Sequence, residues 1–175
     1  MKALLIIDML NDFIDEKGVL FCGESARQII PEIKKLIEEF KKQNLPLIYI
    51  CDSHQENDEE FTAFPPHCIK GTWGAEIISE LKIEPKDYPK IYIIPKTRFS
   101  GFYKTNLENL LRDLKIKELW LTGVCTSICV MDTAKDAYER GYKIIIPVKA
   151  VADFDQDFHK FALERMKRIY KVKLI

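Results

Sequence analysis

The sequence predicts a three-layer α/β/α fold on a six-stranded, mainly parallel sheet. Three observations carry that reading. Six short apolar runs punctuate the chain, and they are apolar on both faces, as strands buried in a parallel sheet are. Segments with helical periodicity alternate with them, which implies right-handed crossovers covering both faces of the sheet. The 175 residues contain no repeat, low-complexity tract or linker, so residues 1–175 are expected to form one domain.

Taken in order, Ala3–Ile7 reads as the first strand, closed by Asp8. A helix from Ala26 to Gln43 follows, with Ile29, Ile30, Ile33, Leu36, Ile37 and Phe40 on one stripe. Ser25 and Gln28 fit a capping box before it, and Pro31 sets its first turn apart. Leu47–Cys51 is the second strand. The stretch from Asp52 to Gly74 has turn residues, a Pro65-Pro66 pair, two of the three histidines and no clean period. A loop this long in a compact domain is usually functional. Ile91–Ile94 is the third strand, Asn106–Leu114 a helix and Leu119–Val124 the fourth strand. A helix from Ser127 to Arg140 stops at Gly141, a residue suited to a helix C-terminus. Lys143–Pro147, a helix over Gln156–Tyr170 and a strand over Lys171–Leu174 complete the chain.

Composition removes several classes of function. Lys plus Arg number 27 and Asp plus Glu number 27, so there is no electrostatic footprint for a nucleic acid or an anionic membrane. With 47% apolar and 31% charged residues the chain is not disordered. The first apolar run meets Asp8 too soon for a signal peptide, and no stretch approaches the ~20 apolar residues of a membrane helix. A cytoplasmic location is expected. The five cysteines are an odd set without a Cys-x-x-Cys pair, so a disulfide framework is not expected. Cys22 and Cys51 read as small buried hydrophobes.

In doubly wound sheets, ligands bind beyond the carboxyl ends of the strands. That rule selects Asp8, Asp52, Lys96 and the turn from Val124 to Cys129. Cys129 falls in a first helical turn, where the helix N-terminus would favour a thiolate. The amides of Cys125 and Cys129 could converge on an oxyanion; otherwise Cys129 is a packed helix residue. Asp8 is either an acid/base or a helix cap, a task Asp12 could take instead. Lys96 is either an electrostatic clamp on a thiolate and a carboxylate or a solvated lysine. Asp52 and His54 share a face of an extended stretch, His67 returns later and Glu60 lies between. One carboxylate and two imidazoles suit Zn²⁺, Fe²⁺ or Mn²⁺, although the acidic run from Gln55 to Glu60 also reads as plain surface. Phe13, Phe64 and Trp73 either line an aromatic pocket or simply pack. His159 is expected to be exposed and Trp120 to lie in the core.

With these residues in view, the chain resembles the isochorismatase-like cysteine hydrolases, and within them the nicotinamidases. The resemblance rests on LLIIDMLNDF, YICDSHQEND, FPPHCIKGTWGAE, PKTRFSGF and LTGVCTSICVMDTAKDAYERGY, which span nearly the whole chain in order. It implies strand order 3-2-1-4-5-6 and a triad of Asp8, Lys96 and Cys129. It selects Cys129 as nucleophile, gives Cys125 an oxyanion-hole amide after a cis peptide, and makes Phe13 and Phe64 the ring-binding aromatics. It also implies a divalent metal, zinc first with iron or manganese as alternatives, on Asp52, His54, His67 and, as a fourth ligand, Glu60. Ser127 departs from the Asp of many relatives, and Phe64 from a Trp. The activity implied is hydrolysis of nicotinamide to nicotinate and ammonia through a cysteine thioester. The partner implied is a small-molecule amide, and a homo-oligomer is expected. The alternatives are a relative acting on another amide, a ureido compound or isochorismate, a non-catalytic scaffold, and a redox pairing of Cys125 with Cys129.

Overall fold

The apolar runs become strands β1 (Lys2–Ile7), β2 (Leu47–Asp52), β3 (Ile91–Lys96), β4 (Glu118–Gly123), β5 (Lys143–Ile146) and β6 (Lys173–Leu174) in a computed structural model describing residues 1–175. They form one sheet in the order β3-β2-β1-β4-β5-β6. Every pairing is parallel, so the expected "mainly parallel" sheet is wholly so. Alternate residues of β1 divide between two cores: Ala3, Leu5 and Ile7 face one layer, Leu4 and Ile6 the other. Helices α1 (Asn11–Ile14), α2 (Glu24–Gln28) and α3 (Ile30–Lys42) supply the second layer. Helices α4 (Leu107–Asp113), α5 (Met131–Glu139) and α6 (Gln156–Ile169) supply the first. Ile33, Leu36, Ile37 and Phe40 of α3 are all buried, and each such side chain contributes about 1.5–3 kcal/mol by leaving water. No helix is long and apolar enough to cross a membrane.

Several boundaries differ from the sequence reading. The predicted helix over 26–43 is two helices broken at Ile29. Pro31 sits in the first turn of α3, where its missing N–H would have no partner anyway. The capping box does not form: Gly23 takes the N-cap position of α2, and the Ser25 hydroxyl donates instead to the Asp153 carbonyl at 3.0 Å. Strand β3 runs two residues further than expected, through Pro95 to Lys96. It is an edge strand, where a missing N–H need not break a ladder bond. The predicted helix over 127–140 opens as a π-helical turn, Thr126–Val130, before α5 begins. β5 and β6 are shorter than expected. Trp120 is half-buried rather than core, packed edge-on to Phe40 with the Lys2 ammonium 4.9 Å from its ring centre. His159 is half-buried rather than exposed, its Nδ1 lying 2.9 Å from the Thr126 hydroxyl.

The sheet register gathers the strand ends that matter. Ile7 of β1 pairs with Ile50 of β2 on one side and Gly123 of β4 on the other. Asp52 pairs with Lys96 across β2 and β3. Gly123 has φ +107° and packs so tightly on β1 that a Cβ there would overlap the Ile7 carbonyl oxygen. Only glycine meets both conditions, and this close approach sets the turn after β4 directly beside Asp8.

Candidate active site

Four charged or nucleophilic groups from four chain segments meet at the carboxyl end of the sheet. Asp8 leaves β1 in the left-handed conformation (φ 52°), uncommon for a residue with a side chain. Its Oδ1 accepts from the Asp52 N–H at 2.9 Å, and its Oδ2 lies 2.8 Å from the Lys96 ammonium. Asp8 is therefore no helix cap. Asp12 caps no helix either: its carboxylate accepts from the N–H groups of Cys68 at 2.7 Å and Val19 at 3.3 Å, pinning two loops. Lys96 is buried, donates to Asp52 Oδ1, and lies 3.5 Å from Cys129 Sγ, so it is not a solvated lysine. Asp8, Asp52 and Cys129 each offer an atom within 4.8 Å of the others. The ammonium in their midst makes that group an ion-pair cluster.

Burial sets the protonation of this cluster. It pushes the Asp8 carboxyl up to about 6, helped by the charge of Asp52 and opposed by Lys96. Burial also acts on Asp52, but Lys96 and His54 hold its carboxyl below the ordinary range. The Lys96 ammonium stays charged, because Asp52 and Asp8 outweigh its desolvation. Burial pushes the Cys129 thiol well above its usual range; Lys96 opposes this, and Asp8 and Asp52 reinforce it. Burial thus works against the thiolate that a helix N-terminus would favour. The Asp8 carboxylate stands close enough to take the Cys129 proton.

The turn that carries Cys129 is fixed from outside. The Val124–Cys125 peptide is cis, as the resemblance implies. The Thr126 N–H donates to the Ala152 carbonyl at 2.8 Å, and the Ser127 N–H to Asp153 Oδ2 at 2.7 Å. Asp153, fully buried, was not singled out in the sequence, where nothing separates it from the neighbouring acidic residues.

A second cluster adjoins the first. Asp52 Oδ2 lies 3.7 Å from His54 Nε2 and 3.8 Å from His67 Nε2, and Glu60 Oε1 lies 3.9 Å from both imidazole nitrogens. Donors bound to one tetrahedral ion at ~2.1 Å lie roughly 3.4 Å apart; the four separations above approach that spacing, and Asp52, His54 and His67 gather within 4.8 Å of one another. His54 Nε2 is buried without a hydrogen-bond partner, a cost that a cation would remove. The remaining ring nitrogens are engaged: His54 Nδ1 is 3.1 Å from Asp58 Oδ2, and His67 Nδ1 is 2.8 Å from the Pro65 carbonyl. Both histidines thus turn Nε2 toward the common centre. These residues fit a divalent metal with borderline nitrogen and oxygen preferences.

Asp58 and Arg98 escaped the sequence reading. Asp58 also accepts from the Glu60 N–H at 2.9 Å and from Arg98 Nη1 at 2.8 Å. Burial raises its carboxyl, but those two bonds and His54 bring it down to about 2. One carboxylate thus orients two of the four candidate ligands. Asp58→Ala is expected to weaken metal binding by about 10–100-fold, measured by competition with a chromophoric chelator.

Both clusters open into a cavity of about 350 Å³. Asp8, Asp52 and Cys129 are among the polar and reactive groups that line it, and Phe13, Phe64, Phe99 and Ile128 are among its apolar walls. Phe13 and Phe64 stand 5.6 Å and 6.2 Å from the His67 ring, while Phe64 meets Phe99 edge-on. Trp73 lines no part of it and is about half exposed, so that expectation is corrected. The lining contains no Lys or Arg.

The Isochorismatase domain matches residues 2–173. The chain belongs to the isochorismatase family. It is an isochorismatase-family hydrolase. It is 44% identical to PncA of Bacillus subtilis (strain 168), an uncharacterized isochorismatase family protein, over 93% of this chain and 92% of that one. The crystal structure of nicotinamidase PncA from Bacillus subtilis superposes with TM-score 0.93 at 40% identity, covering 99% of this chain and 98% of that one. The pyrazinamidase of Pyrococcus horikoshii, solved in complex with zinc, superposes with TM-score 0.89 at 32% identity, covering 99% and 98%.

Proposed function

We propose that this protein hydrolyses nicotinamide to nicotinate and ammonia through a thioester on Cys129. The observation that carries the reading is the cavity: its lining joins aromatic walls, without Lys or Arg, to the His67 imidazole and the buried Cys129 thiol. Isochorismate and carbamoylated amino acids bear carboxylates, for which the lining offers no Lys or Arg and only the candidate metal as counter-charge. A neutral aromatic amide needs none.

Asp8 takes the Cys129 proton as Sγ attacks the carboxamide carbon. Lys96, in reach of both groups, offsets the charge that passes between them. The amides of Cys125 and Cys129 hold the oxyanion. Asp8 returns the proton to the departing ammonia, then takes one from the water that opens the thioester. Phe13 and Phe64 hold the ring. Asp52, His54, Glu60 and His67 would hold the metal, with zinc first and iron or manganese as the other candidates. When bound, that ion supplies a Lewis-acidic position for the pyridine nitrogen and so orients the substrate.

His54→Ala is therefore expected to raise KM for nicotinamide by more than about 10-fold with a smaller change in kcat. Initial rates over a wide substrate range check this split. The acid limb of kcat/KM reports proton uptake by Asp8. Its midpoint is expected below about 6 in metal-loaded protein, because a cation on Asp52 removes one of the two causes that raise the Asp8 carboxyl. A pH–rate series on chelated and reloaded protein checks it.

The test of the activity itself is ammonia release from nicotinamide beside that from an N-carbamoyl amino acid and an aliphatic amide. A strong preference for nicotinamide supports the reading. Preference for a carboxylate-bearing carbamoyl compound would replace it with the ureido-hydrolase alternative.

A further inference from the structure

Cys22 and Cys125 are separated by 103 residues, yet their sulfurs lie 3.3 Å apart. Both side chains line the cavity. The mechanism above uses neither thiol, only the backbone amide of Cys125. The loop bearing Cys22 is held against the turn bearing Cys125 by independent bonds. The Cys22 N–H donates to the Phe13 carbonyl at 2.9 Å, and the Ser25 hydroxyl reaches the Asp153 backbone, whose side chain holds Ser127. The two sulfurs thus meet across a braced wall. Gly23, next to Cys22, has φ +84°, and no atom outside its chain neighbours lies within 4 Å of where a Cβ would stand. The other three thiols have different neighbours: Cys129 faces Lys96, Cys68 faces the Gly74 carbonyl, and Cys51 is buried.

We propose that Cys22 and Cys125 form a modification site, a dithiol that a hydroperoxide closes to a disulfide in the cavity wall. The sulfurs need to approach by roughly 1.3 Å to reach the covalent distance of about 2.0 Å. In the first step one thiol, as its thiolate, takes oxygen from the hydroperoxide. The O–O bond breaks, an S–O bond forms and the alcohol, or water from hydrogen peroxide, leaves. In the second step the other sulfur attacks the sulfenic acid. The S–S bond forms, the S–O bond breaks and water leaves. Overall the two thiols lose two protons and two electrons, and the hydroperoxide is reduced by those two electrons. Intracellular disulfides of this transient kind are the redox-sensing ones.

Closure pulls Cys125 toward the Cys22 loop and shifts the amide assigned to the oxyanion. That consequence for activity rests on the proposed hydrolysis; the cross-link does not. The experiment treats wild-type protein and Cys129→Ser with hydrogen peroxide, alkylates remaining thiols in denaturant and maps tryptic peptides without reduction. Trypsin leaves Cys22 in the peptide 18–27 and puts Cys125 and Cys129 together in 118–135. The result expected in both proteins is a linkage of 18–27 to 118–135 that dithiothreitol reverses and that Cys22→Ser abolishes. In wild type, ammonia release falls more than 10-fold and returns with reductant to the extent that Cys129 is not over-oxidised. A loop within 118–135 alone, or alkylated Cys22 and Cys125 after treatment, would overturn the proposal. The Cys129→Ser map decides the linkage even if Cys22→Ser fails to fold. A linkage without nicotinamidase activity would refute the function and leave the dithiol standing.

Discussion

Cys129→Ala is expected to lower kcat/KM for nicotinamide by at least about 10³-fold while the protein stays folded. The side chain is small and buried, so truncation leaves a modest void costing under about 2 kcal/mol. Asp8, Lys96 and Asp52 keep their mutual bonds in the variant, since none of those bonds needs the sulfur. The cavity and the metal-binding residues also persist, so nicotinamide should still bind. Ammonia release and equilibrium ligand binding, measured on one preparation, separate the two effects. Near-native turnover would remove the thioester from the mechanism.

Lys96→Met carries the largest expected loss of stability. The ammonium is buried between two buried carboxylates. Methionine keeps much of the volume and leaves both acids without a cation, a cost of about 3–5 kcal/mol near neutral pH. The pH dependence separates this from a packing defect. The Asp52 carboxyl is held below its ordinary range, so its pairing contributes stability above that range and loses it as pH falls. The Lys96 ammonium titrates above its ordinary range, so its contribution is complete at neutral pH. In the variant no ammonium opposes the burial that raises both carboxyls, so they take up protons as pH falls toward about 4, and the gap to wild type should shrink over that window. Denaturant unfolding at both pH values reads it. An equal gap would mean that the lysine acts through packing.

The strand ends were the most legible part of the molecule. Parallel strands carry long apolar runs, and the charged residues that end them stand out: Asp8, Asp52 and Lys96 were visible for that reason. Their convergence follows from strand order, since β1, β2 and β3 are adjacent. The turn from Val124 was legible as a turn, but its π-helical start was not, because apolar periodicity does not distinguish a widened first turn from an α-helical one. Asp58 was hidden in an acidic run that also reads as a solvated surface. Its bond to His54 depends on how the loop folds back, which no period encodes. The Cys22–Cys125 contact was hidden for a related reason. Two loops 103 residues apart supply it, and no periodicity links them.

The central claim joins a cysteine nucleophile to a metal-held aromatic amide. The most direct measurement is nicotinate and ammonia formation by purified protein, first stripped with a chelator and then reloaded with zinc, iron or manganese in turn. The account predicts that stripping raises KM sharply or abolishes turnover, and that at least one ion restores it. Full turnover of nicotinamide by protein shown to be metal-free would contradict it.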